Sequence, residues 1–134
     1  RAGEAWHRGP VIIAWADVAD SGPGYNVIIH EMAHKLDMLD GDTNGRPPLH
    51  RGMDPGEWAA AFSEAYDTHV REVEAGRETA IDGYAASDPA EFFAVVSEAF
   101  FEAPGVLKET WPRVHRQLEF YYRPYTLRQP VRPG

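Results

Sequence analysis

Residues 27–37 of the chain are Val-Ile-Ile-His-Glu-Met-Ala-His-Lys-Leu-Asp, an apolar run that carries the pattern His-Glu-x-x-His. The run is long enough for a buried helix, on which His30 and His34 would project from one face about 6 Å apart at Cβ. Two imidazoles so placed can bind one Zn²⁺, and the intervening Glu31 can take a proton from a water that zinc has acidified. The stretch therefore predicts a metal helix with His30 and His34 as ligands and Glu31 as general base.

The alternative is a helix whose two histidines are ordinary surface or core residues. Three apolar residues directly before His30 argue against a solvated face. A buried pair of histidines without a ligand would also need hydrogen-bond partners for four ring nitrogens. We therefore favour the metal site.

The overall composition is that of a globular protein with 43% hydrophobic and 25% charged residues among 134. Its net charge of −8 argues against direct nucleic-acid binding and against attraction to anionic membranes. There is no cysteine, which excludes a disulfide framework and a thiolate metal site. The apolar run Val11–Ala16 is too short to span a membrane. The length predicts one domain over residues 1–134, and because the chain begins at Arg1 we interpret it as a fragment.

Outside the metal helix the sequence predicts one strand and three further helices. The β-branched run Val11–Trp15 is typical of a strand. Asp54-Pro55-Gly56-Glu57 resembles a capping box before an amphipathic helix over residues 55–75, and Asp88-Pro89 begins an almost wholly apolar helix in the same way. Trp111-Pro112 begins a last short helix that ends near Tyr121. The predicted fold class is α+β, mainly helical with a small sheet.

A catalytic zinc needs a third protein ligand, and the sequence offers three acidic candidates. Asp40 falls where metzincins have a third histidine, but that geometry requires glycine at the position of Asp37, so we reject it. Glu91 and Glu98 are seven residues apart and lie on one face of the apolar helix. Glu91 could also be a capping-box glutamate, so the residues alone favour it over Glu98 without deciding between them. His69 lies on the apolar face of its helix and is interpreted as a core histidine.

Three segments together carry a resemblance to a known family. They are Val-Ile-Ile-His-Glu-Met-Ala-His-Lys-Leu-Asp-Met-Leu at 27–39, Asn-Gly-Arg-Pro-Pro-Leu at 44–49 and Tyr-Ala-Ala-Ser-Asp-Pro-Ala-Glu-Phe-Phe-Ala-Val at 84–95. The sequence resembles the Mlc titration factor A family, zinc peptidases related to the catalytic domain of anthrax lethal factor, from about Val11 to about Tyr122. The resemblance implies that the family's amino-terminal portion is not part of this sequence.

The resemblance assigns roles to individual residues. His30 and His34 match the family's first two ligands and Glu31 its general base, while Glu91 is implied as third ligand and Tyr84 as the oxyanion donor. A phenol in that role has a physical basis, because losing one oxyanion donor typically lowers the rate by roughly 10²–10³-fold. Asp37 could orient a ligand or the loop beside the metal, or cap a backbone carbonyl, and the sequence leaves these alternatives open.

The expected protein is therefore a zincin-like catalytic domain that binds one Zn²⁺ per chain, a gluzincin-type metallopeptidase. The resemblance implies aminopeptidase-like hydrolysis of peptides or amino-acid amides, a cytoplasmic setting and a regulatory partner, a sugar-responsive transcriptional repressor. The alternative is a non-catalytic, zinc-stabilised binding module that sequesters a repressor. The presence of Glu31 favours catalysis, because a purely structural site has no use for it.

Overall fold

The computed structural model describes residues 25–126 and the side chains of residues 26–123. Within that range the chain forms five α-helices, namely α1 (Tyr25–Asp37), α2 (Pro55–Glu74), α3 (Pro89–Glu102), α4 (Pro104–Thr110) and α5 (Pro112–Thr126). A short 3₁₀ helix, Met38–Asp40, follows α1, and a second one, Gly83–Ala86, precedes α3.

The predicted α+β class, with a small sheet packed on the metal helix in a zincin-like arrangement, is wrong for this structure. Residues 25–126 contain helices, turns and loops and no strand. The prediction depended on Val11–Trp15, which lies outside the described residues. The other segments for which the sequence predicts helices do fold as helices.

Two of the helix starts that the sequence predicts are confirmed by their caps. The Asp54 carboxylate accepts a hydrogen bond from Gly56 N at 2.8 Å, and Pro55 is the first residue of α2. The Asp88 carboxylate accepts one from Glu91 N, also at 2.8 Å, with Pro89 as the first residue of α3. Each cap satisfies an amide that the helix leaves unpaired, which fixes where the helix begins.

Helix α3 is the centre of the packing. It is buried along Phe92–Ser97 and contacts α1 on one side and α5 on another. The Trp58 ring of α2 stacks on Phe62 with centroids 4.3 Å apart and lies 6.0 Å from that of Phe93. Burial of each such ring stabilises the fold by about 1.5–3 kcal/mol. This packing holds α3 beside α1 and therefore sets the distance between their polar side chains.

The loop after α1 is fixed to the start of α3. The buried Asp37 carboxylate accepts hydrogen bonds from Gly45 N at 2.7 Å and Asn44 N at 3.3 Å. Burial raises the pKa of Asp37, an effect that these amide hydrogen bonds partly offset. Gly45 has φ +81°, and a Cβ placed there would lie 2.5 Å from the carbonyl oxygen of Pro89. Asp37 thus orients the loop through two backbone amides, which is one of the roles that the sequence leaves open.

Candidate metal centre

Helix α1 presents its two histidines side by side. The rings of His30 and His34 are one turn apart, with centroids separated by 4.8 Å and planes at 80°. Ala33 and Leu36, which lie between and after them, are buried in the core. The helix is therefore anchored by its apolar face, while both imidazoles remain partly exposed at its edge.

Glu91 faces both histidines from α3. Its Oε1 is 3.0 Å from His30 Nε2, and its Oε2 is 3.2 Å from His34 Nε2. The candidate ligand atoms of the three residues all lie within 4.8 Å of one another. Glu91 is in the first turn of α3, where the helix dipole attracts negative charge. The structure therefore brings together the three residues that the sequence and the resemblance predict as ligands.

Glu98, two turns further along α3, contacts the other nitrogen of His30. Its Oε2 is hydrogen-bonded to His30 Nδ1, so the ring lies between two carboxylates. Burial acts to lower the pKa of His30, but the hydrogen bond and charge of Glu98, with the charge of Glu91, outweigh it and raise that pKa. For the carboxyl of Glu98, burial has the opposite effect and raises the pKa, although the contact with His30 acts to lower it. Glu98 thus holds Nδ1 of His30, so that Nε2 is the nitrogen that faces Glu91.

The donor set fits a zinc ion. Two imidazole nitrogens and a carboxylate oxygen are ligands that zinc accepts, with bonds of about 2.0–2.2 Å. Ligand atoms on a tetrahedral ion with such bonds are roughly 3.3 Å apart. Here Glu91 places one oxygen 3.0 Å from His30 Nε2 and the other 3.2 Å from His34 Nε2, and one donor atom from each of the three residues lies within 4.8 Å of the other two. Within the described part of the chain, no other group of three His, Cys, Asp or Glu residues has this spacing.

Glu31 lies next to the cluster rather than in it. Its side chain is exposed and lines a cavity of about 170 Å³ together with Asn26, Val27, His30 and Glu98. A carboxylate at the edge of a cavity that also contains a candidate ligand can exchange protons with a molecule bound there. This cavity is lined by neither His34 nor Glu91, so the role of Glu31 as a base stays a prediction.

Tyr84 is on the 3₁₀ helix that precedes α3 and is 55% exposed. Its hydroxyl makes no hydrogen bond to the residues that the structure describes. The structure does not bring Tyr84 into the cluster, so its oxyanion role stays a prediction.

A larger cavity of about 270 Å³ lies against Trp58, Phe62 and Tyr66. It is lined by none of the candidate ligands and by no acidic residue. Metal-dependent hydrolysis requires metal ligands and a general base, and this cavity has neither. The positions of the donor atoms therefore identify the candidate site better than the size of a cavity does.

A family model for glucose-regulated metallo-peptidase M90 matches residues 1–123. The chain belongs to this family. Membership marks it as a metallo-peptidase-like protein, a class that agrees with the cluster on α1 and α3.

Several relatives of this M90 chain carry the name implied by the resemblance. Mlc titration factor A of Yersinia enterocolitica is 43% identical over 128 residues, which are 92% of this chain and 48% of the relative. Mlc titration factor A of Salmonella gallinarum is 41% identical over 127 residues, which are 92% and 48% of the two chains. An uncharacterized protein of Synechocystis is 42% identical over 127 residues, which are 91% and 46%. The resemblance to the Mlc titration factor A family is thus confirmed, and the chain spans about half the length of the curated relatives it matches.

None of the helices between residues 25 and 126 is both long and apolar enough to cross a bilayer.

Proposed function

We propose that this chain is a zinc-dependent, aminopeptidase-like peptidase in which His30, His34 and Glu91 hold one Zn²⁺. The observation that carries the proposal is the convergence of these three donor groups, one of which, His30, directly precedes Glu31 in the chain. The substrate would be a peptide or an amino-acid amide, and residues 1–134 would form one catalytic domain.

Zn²⁺ held by His30, His34 and Glu91 would act as a Lewis acid, able to polarise a carbonyl and to lower the pKa of water. The chain's own residues provide the proton transfers. Glu31 takes a proton from the attacking water and returns it to the leaving amine. The exposed Tyr84 turns toward the bound substrate and donates a hydrogen bond to the oxygen that gains negative charge. Glu98 keeps His30 oriented during these steps.

A repressor partner is the second part of the proposal. Two of the relatives are named Mlc titration factor A, and we extend to this chain the binding of a sugar-responsive repressor. We propose a cytoplasmic setting for that interaction, without direct contact with nucleic acid or membrane. The same name supports the alternative of a non-catalytic, zinc-stabilised module that only sequesters the repressor.

The first prediction separates these alternatives with Glu31→Gln. The amide keeps the size of the side chain but cannot act as a base, so hydrolysis of chromogenic amino-acid amides should fall by roughly 10²–10⁴-fold. Zinc content, measured by atomic emission, should equal that of the wild type because Glu31 is not in the donor cluster.

The matched control is Glu109→Gln, an exposed glutamate on α4, which should change neither quantity. Wild-type turnover by the Glu31→Gln protein would contradict the catalytic proposal. If neither the wild type nor Glu31→Gln hydrolyses any of the amides, and both bind the repressor equally well, the result would support the binding module instead.

A further inference from the structure

His69 on α2 is a buried histidine that the candidate metal centre does not use. It is 1% exposed and meets the ring of Trp111 edge-on, with centroids 5.4 Å apart. An imidazole in such surroundings needs a hydrogen-bond partner. Its Nε2 is 3.0 Å from the carbonyl oxygen of Asp82, and since a carbonyl only accepts, Nε2 carries the hydrogen and donates it.

Asp82 connects this histidine to the 3₁₀ helix that carries Tyr84. The carbonyl oxygen that accepts from His69 also accepts from Ala85 N at 3.0 Å. The Asp82 carboxylate accepts from Tyr84 N at 2.9 Å. Both oxygen groups of Asp82 therefore hold the first turn of this 3₁₀ helix, and His69 ties that turn to α2.

A second contact reinforces the first, one turn earlier on α2. The hydroxyl of Tyr66 donates to the carbonyl oxygen of Ala86 at 3.3 Å. Burial, with the nearby charges of Asp88 and Asp67, raises the pKa of Tyr66, so its hydroxyl keeps the proton that it donates. The 3₁₀ helix is thus attached to α2 at both of its ends.

The same 3₁₀ helix is linked to the candidate ligand Glu91. Ser87 N donates to the carbonyl oxygen of Tyr84 at 3.0 Å, and Asp88 then caps Glu91 N. The backbone of Tyr84 is consequently held between α2 and the first turn of α3, while its side chain is exposed. We propose that His69 is a positioning residue, which keeps Tyr84 within reach of substrate at the metal centre; this rests on the proposed role of Tyr84.

Two substitutions separate the hydrogen bond from simple packing. His69→Met removes the donor but fills the space with a flexible side chain that packs well against aromatic rings. Because the Asp82 oxygen keeps its bond from Ala85 N, it is not left unpaired, and the variant should fold. His69→Gln restores an N–H donor at a similar reach. The control is His115→Met, at a buried histidine of α5 that lies against Phe100 and away from Asp82.

The kinetic test is a double-mutant cycle in the zinc-loaded protein. His69→Met should lower kcat for a chromogenic amide by about tenfold or more, since small displacements of a catalytic group have large effects. His69→Gln should recover most of it, and zinc content should be unchanged in both. In a Tyr84→Phe background, His69→Met should lower kcat by less than about twofold, because the group it positions has gone. An equal loss in both backgrounds, or no loss in the wild-type background, overturns the proposal.

Hydrogen exchange tests the attachment without using activity. Amides of residues 83–87 should exchange faster in His69→Met than in the wild type, and at the wild-type rate in His69→Gln and His115→Met. Unchanged exchange in His69→Met overturns the proposal. If Tyr84→Phe hydrolyses substrate at the wild-type rate, the proposed role of Tyr84 fails, and the attachment by His69 is then decided by exchange alone.

Discussion

His30 lies between two carboxylates of α3, and each contacts a different nitrogen of its ring. Glu91 contacts Nε2 of His30 with one carboxylate oxygen and Nε2 of His34 with the other. Glu98 contacts Nδ1 of His30 instead. Two glutamates with the same chemistry therefore have different roles, which follow from where α3 places them along α1. One is a candidate ligand, and the other orients a candidate ligand.

The second prediction concerns this difference. Glu91→Ala removes a donor and should abolish stoichiometric zinc binding. Glu98→Ala leaves the three donors in place and should weaken zinc binding by about 10–100-fold, as is typical when the partner of a ligand histidine is lost. Competition with a chromogenic chelator measures both affinities. Equal affinities of the two variants, or a larger loss for Glu98→Ala, would refute the assignment of Glu91.

The third prediction concerns Tyr84. Tyr84→Phe should lower kcat and kcat/KM together by roughly 10²–10³-fold, because the hydroxyl is needed in the transition state rather than for substrate binding. Zinc content and thermal unfolding should stay at wild-type values, since the hydroxyl makes no hydrogen bond to the described residues. Steady-state kinetics with an amide substrate provide the measurement. Wild-type kinetics would reduce Tyr84 to an exposed residue of the turn.

At the scale of single residues, part of the site could be predicted from sequence and part could not. His30 and His34 could be, because a spacing of four residues on a helix has only one spatial outcome. The choice between Glu91 and Glu98 could not be made from the residues alone, since it depends on how far α3 is displaced along α1. The resemblance favoured Glu91, and the structure shows what Glu98 contacts instead.

At the scale of elements, the loop after α1 sets the position of the start of α3. Gly45 approaches Pro89 so closely that a side chain would displace the turn that carries Glu91. Gly41 is in the same loop and also has a positive φ, +98°, but a Cβ there would meet nothing within 4 Å. Alanine would strain the backbone at both glycines, but only at Gly45, which is buried and donates to Asp37, would its Cβ also clash with Pro89.

The fourth prediction uses this pair. Gly41→Ala should lower the free energy of unfolding by about 1–2 kcal/mol, the cost of a left-handed conformation. Gly45→Ala should lower it further and should also weaken zinc binding, because Pro89 and Glu91 must move. Urea unfolding and chelator competition measure the two effects. Equal zinc affinity in both alanine variants would show that the contact with Pro89 does not position Glu91.

Sequence patterns predicted the helices more successfully than the fold class. The starts of α2 and α3 follow from Asp-Pro caps, whose carboxylates satisfy free amides locally. The seven-residue helix α4 was missed, because Pro104 and Gly105 resemble a turn. The predicted fold class was wrong because it depended on one strand, inferred from the run Val11–Trp15, which precedes the described residues. Local chemistry determines where helices start, whereas the class depends on how all segments pack.

At the scale of the whole molecule, a metal would join elements that are far apart in sequence. His30 and Glu91 are separated by 61 residues and come from α1 and α3. A ligand that binds only the folded arrangement stabilises it by mass action. The metal centre should therefore contribute to stability as well as to chemistry.

The fifth prediction follows from this linkage. Free Zn²⁺ at 100 times its dissociation constant should raise the free energy of unfolding by about 2.7 kcal/mol. The increase should vanish with a chelator and in Glu91→Ala, whereas Glu109→Gln should show it in full. Urea unfolding at several zinc concentrations gives the dependence. A stability that does not respond to zinc would mean that the cluster does not bind it in the folded state.

The three candidate ligands all come from the surfaces of two packed helices, and none comes from a loop. Their geometry is therefore specified by two helix axes and the register between them. The same geometry could be built in another helical bundle whose helices have the same axes and register. One helix would carry two histidines four residues apart, and the other would carry two glutamates seven residues apart, as Glu91 and Glu98 are here. Grafting these four side chains into an idealised bundle should transfer metal binding without the rest of the chain.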